Sequence, residues 1–65
     1  MLNKEYFEFT DKEAGLSFLK DAVTLRKSMG GALYWNIVND DCNKIADRCL
    51  SYGATEEEVR EILNE

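Results

Sequence analysis

The sequence predicts a small all-α domain, three helices preceded by an N-terminal aromatic arm. Three observations carry this. Between residues 32 and 52, Tyr34, Trp35, Val38, Cys42, Ile45, Ala46, Cys49, Leu50 and Tyr52 fall within an arc of roughly 160° when turned at about 100° per residue. Helix-start signals occur twice, at Thr10 with Glu13 and at Thr55 with Glu58, each with the spacing of a capping box. Glycines stand where helices should end, at Gly30-Gly31 and Gly53, and proline is absent.

Residues 4–9 carry Tyr6, Phe7 and Phe9 in weak alternation. A lone strand has nothing to pair with, so an arm packed across the helices is preferred. The first helix spans 11–29, opened by Thr10 and Glu13, with Phe9 and Ala14 placed as a hydrophobic staple. Its apolar residues, from Ala14 to Met29, sweep an arc near 200°, wider than one neighbouring helix would cover. Gly15 weakens that helix by up to about 1 kcal/mol relative to alanine, which points to a close approach there by the aromatic arm. Gly30-Gly31 is expected to end it in the usual C′ manner.

The second helix spans 32–52. The segment ALYWNIV has strand composition, so the alternative is an α+β fold with short strands near 4–9 and 32–38. Against it, Tyr34, Trp35 and Val38 keep phase with the stripe that follows, and Ile37 falls outside. After Gly53, Thr55 and Glu58 open a third helix over 55–64, with Ala54 and Val59 in staple positions. It presents Val59, Ile62 and Leu63 to a core. Its acidic first turn suits the positive end of the helix dipole.

At 65 residues the chain is a single domain, 1–65, near the lower size limit for folding alone. Histidine is absent and there are two cysteines, which argues against a structural zinc site. Cys42 and Cys49 share a helix face but stand about 10 Å apart along it, too far for a disulfide. They read as buried thiols in a reducing compartment. No stretch has signal-peptide or transmembrane character, and a cytoplasmic location is expected. Self-association is the remaining way to support so small a core, so a homodimer is expected.

Thirteen acidic residues against eight basic ones give a net charge of −5. The excess is concentrated in residues 54–65, where Glu56, Glu57, Glu58, Glu61 and Glu65 face Arg60 alone, a local net of −4. That argues against nucleic acid or an anionic membrane as a direct partner. The outline of a helix-turn-helix over 45–62 is discounted for the same reason. Lys12, Lys20, Arg26 and Lys27 on the first helix read as a solvated basic face opposite the acidic tail. Counted from Asp41, an EF-hand loop would need glycine and glutamate where Ala46 and Tyr52 stand, so no metal site is assigned. Without histidine, and with both thiols on the apolar stripe, no catalytic residue and no cofactor are assigned.

The function expected from these features is a small acidic protein–protein interaction module, an adaptor, inhibitor or regulator that self-associates. Phe18, Leu25, Met29, Tyr34 and Trp35 are the candidate partner or dimer interface, since large aromatics are enriched at such contacts. The alternative is an acidic decoy. Its exposed Glu56, Glu57 and Glu61 would mimic phosphates and occupy the basic groove of a DNA- or RNA-binding enzyme, in the manner of phage-encoded inhibitors of host defences, an analogy from size and charge alone.

Overall fold

The computed structural model describes residues 2–65. A 3₁₀ turn, Lys4–Phe7, precedes three helices: α1 (Lys12–Lys27), α2 (Ala32–Ser51) and α3 (Glu56–Leu63). Among the described residues there is no strand. The α+β alternative is therefore overturned at both places, since 32–38 are helical and 4–9 hold the 3₁₀ turn. With no extended partner available, a helix satisfies the backbone of 32–38 within the segment itself.

The start of α1 lies one residue later than the Thr10–Glu13 signal indicates. Asp11 is the N-cap, its carboxylate accepting from the Ala14 N–H at 2.7 Å. The staple positions then fall on Thr10 and Gly15, which releases Phe9 for another task. Its ring lies over Gly15 and is nearly fully buried. The end of α1 also differs from expectation. Gly30 does not supply a left-handed C′ residue; Ser28 and Met29 close the helix with N–H bonds three residues back, to Leu25 and Arg26. Gly31 instead stands as the N-cap of α2, with no side-chain cap.

The other two helix-end signals hold. Gly53 adopts φ +100°, its N–H bonding to the Leu50 carbonyl while that of Ala54 reaches Cys49, the paired hydrogen bonds of a Schellman turn. Thr55 and Glu58 form a complete capping box at the start of α3.

α1 and α2 lie side by side as a hairpin. Leu19, Ala22 and Val23 from α1 meet Val38, Cys42, Ile45, Ala46 and Cys49 from α2, all buried at three- and four-residue spacing. Val59 and Ile62 of α3 close one side of this seam. The arm closes another, with Phe9 stacked on Phe18 at 6.2 Å and Tyr6 against Phe18 at 5.3 Å. Arg48 has its guanidinium against both the Phe9 and the Tyr52 rings, at 5.5 and 5.4 Å, and the two rings also touch each other. It thereby holds the end of the arm to α2.

Two predictions follow from this packing. A methyl group at Gly15 would lie 2.4 Å from Phe9 Cε1 and 2.9 Å from Cys49 Sγ, and the residue sits in the interior of the seam. Gly15→Ala should therefore lower the urea-unfolding free energy by about 1–3 kcal/mol, after a propensity gain of up to about 1 kcal/mol. A more stable variant would mean that the arm yields freely.

The second concerns Glu58. Its carboxylate accepts from the Thr55 N–H at 3.0 Å and pairs with Lys12 Nζ at 3.2 Å. The Thr55 backbone hydrogen bond, then Lys12, hold its pKa below the ordinary glutamate value. A group lowered on folding stabilises the fold above its unfolded pKa, and that contribution is lost as pH falls through the folded one. Thermal melts taken from about pH 6 to about pH 3 should show stability falling, with Glu58→Gln removing this residue's share of the slope.

Candidate functional site

Residues 28–39, SMGGALYWNIVN, contain no charged side chain, in a protein where 32% of residues are charged. They form the turn of the α1–α2 hairpin and the first two turns of α2. The elements that cover the rest of the hairpin stop short of them. On one side the arm reaches α2 at Asp41, whose carboxylate accepts from the Leu2 N–H at 3.4 Å. On the other, the last carbonyl of α3, on Leu63, accepts from Arg26 Nη2 at 2.6 Å. Arg26 Nη1 donates to Asn39 Oδ1, also at 2.6 Å, and the same guanidinium lies 5.2 Å from the Trp35 ring centre.

Among the described residues both covers thus meet α2 level with residues 39–41, and none of residues 32–37 is buried. Leu33 is 69% exposed, Tyr34 52%, Trp35 40%, Ile37 37% and, across the turn on α1, Leu25 36%. On α2, Leu33 and Ile37 are one helical turn apart and Tyr34 lies beside them, so the three make one apolar ridge.

Of the interface residues expected from the sequence, Leu25, Tyr34 and Trp35 stand on this tip. Met29 is half-buried beside it, packed against the core. Phe18 lies elsewhere, half-buried under Tyr6 and Phe9. Leu33 and Ile37 were missed. The signal for Ile37 was its position out of phase with the stripe, which marks a large apolar residue with no place in the core.

Glu56, Glu57 and Glu61 are exposed on α3, as expected. Of the four residues read as a solvated basic face, Lys20 and Lys27 are exposed; Arg26 is buried, Lys12 pairs with Glu58, and Lys20 shares the α1–α3 groove with Glu58, Glu61 and Glu65. An arginine with its stem along a helix–helix seam can bury its head where carbonyls receive it, which helical periodicity alone does not register. Between α2 and α3 an open groove of about 330 Å³ has Ala46, Leu50, Val59 and Leu63 as its floor, with Asp47 and Glu56 on its rim.

Cys42 and Cys49 are free and fully buried. Burial pushes both thiols above the ordinary cysteine pKa, with Asp41 adding to the rise at Cys42 and Arg26 opposing it. No family model matches this chain, and no curated protein or solved structure is significantly similar to it.

A raised pKa and no exposure leave little thiolate to react. Labelling with a thiol reagent at neutral pH should therefore proceed at the rate of opening of the α1–α2 seam and accelerate with urea. Fast stoichiometric labelling of either cysteine in the native protein would contradict the packing described.

Proposed function

We propose that this protein is a non-enzymatic protein–protein interaction module, an adaptor, inhibitor or regulator, which docks through the uncovered hairpin tip. The observation that carries this is that four exposed large apolar side chains, Leu33, Tyr34, Trp35 and Ile37, fall in a charge-free stretch of chain, with a fifth, Leu25, across the turn. Single exposed apolar residues are ordinary, whereas a cluster of this kind is a usual mark of a docking surface. Trp35 suits the centre of such a contact. One face of its ring is held by Arg26, so little side-chain freedom remains to be lost on binding. Among the described residues no helix is long and apolar enough to cross a membrane. Two free buried thiols suit a reducing compartment, and the cytoplasm is the proposed location.

The second reading, the acidic decoy, is favoured by one observation: Glu56, Glu57 and Glu61 are exposed on α3 with Arg60 as the basic residue of that helix. The two readings place the contact on different elements and separate cleanly. A partner captured from cells of the source organism should lose at least about a hundredfold in affinity, roughly 2.7 kcal/mol, with Leu33→Glu or Trp35→Ala. It should keep its affinity with Glu56, Glu57 and Glu61 all changed to glutamine. The reverse pattern, with binding that weakens steeply as salt is added, would replace the apolar docking surface with the decoy.

A further inference from the structure

A chain of net charge −5 repels its own copies, and the repulsion is least where charge is absent. Residues 28–39 are that place. Glu56, Glu57 and Glu58 begin α3 at the opposite end of the hairpin, just after Gly53 and beside Lys12. Two molecules meeting tip to tip keep these clusters far apart.

The shape of the tip is also self-compatible. Leu33 and Ile37 stand one turn apart on the outward side of α2, so an antiparallel crossing of two α2 helices centred near residue 35 brings Leu33 of each beside Ile37 of the other. This is the reciprocal arrangement that a two-fold contact requires. Tyr34 adds a ring to the same ridge, and no charge lies between residues 28 and 39, with Asp40 and Asp41 at the edge of the crossing.

We propose that the occupant of the tip is a second copy of this chain, joined through that antiparallel α2–α2 contact. The proposal rests on the reading of the tip as a docking surface and names its partner. Five side chains at the exposures given supply less than the ~800 Å² per partner of a standard interface, so the pairing is of modest affinity. For a 65-residue domain with so small a core, even that contact adds usefully to stability by mass action.

Sedimentation velocity over about 10–500 µM tests it, because the 7.5 kDa chain should double in mass within that range and its melting temperature should rise with concentration. Leu33→Lys and Ile37→Glu should each shift the midpoint of association at least about a hundredfold upward, since each places a charge against an apolar partner. Mixed together, the two variants should recover association to within about tenfold of wild type, because one Lys–Glu pair and one native Leu–Ile pair then form across the axis. Both positions are exposed, so unchanged helical circular dichroism certifies the fold of each variant.

A wild-type protein that remains a monomer with a concentration-independent melt overturns the proposal. So does a dimer that neither variant weakens, or a mixture that fails to recover. If the wild type is monomeric while Leu33→Lys still abolishes capture of a different protein, self-pairing falls and the docking surface stands. If capture also survives that variant, both fall.

Discussion

The controlling constraint is a mismatch of lengths. α2 has 20 residues and α1 has 16, whereas the helix left to cover them has eight. At 1.5 Å per residue, about 30 Å of α2 faces about 12 Å of α3. The arm adds one 3₁₀ turn on the other side. A cover placed against the open end of the hairpin cannot also reach its tip. It settles beside Ala46 and Leu50, leaving residues 32–37 bare.

Arg26 marks the boundary between covered and bare hairpin. Its two terminal nitrogens donate to neutral oxygens, the Leu63 carbonyl and the Asn39 amide. A cation at the carbonyl end of a helix meets the negative end of its dipole, and here it meets the ends of α1 and α3 together. Charge-assisted bonds of this kind contribute about 1.5–3 kcal/mol each, so the end of α3 is held at a definite level on the hairpin. Trp35 lays its ring against the same guanidinium and so ties the tip to that lock.

The arm is positioned by a complementary device. Gly15 opens a notch in α1, Phe9 fills it, and Cys49 lines its far wall. Arg48 and Tyr52 close over the ring from outside. The glycine lowers the intrinsic stability of the helix by a small amount, and an aromatic burial contributes more than enough to offset it. The carboxylates fall outside both devices. Acidic residues gather on α3 and its groove with α1, and the uncharged stretch is left at the tip. The molecule thus has an uncharged tip and an acidic third helix.

Local physics wrote the helices into the sequence. The capping box at Thr55, the left-handed turn at Gly53 and the notch at Gly15 were legible because each depends on neighbours within a few residues or on backbone geometry that glycine permits. The buried half of the α2 stripe was legible for the same reason, since Val38, Cys42, Ile45 and Cys49 keep helical phase. Which part of that stripe would meet solvent was not. Periodicity names a face of a helix, but burial at a given level requires another element at that level, and this depends on where α3 and the arm stop. So Tyr34 and Trp35 share the phase of the core and are exposed, Phe18 is half-buried beneath the arm, and Arg26 is buried by a carbonyl 37 residues away along the chain. The ends of α1 moved too, because Asp11 could cap where Thr10 was expected to, and Ser28 closed the helix before the glycines were needed. The sequence by itself determined three helices and the faces they bury. The tertiary structure decided how far along each face burial runs, because that extent is a property of pairs of elements and of their unequal lengths.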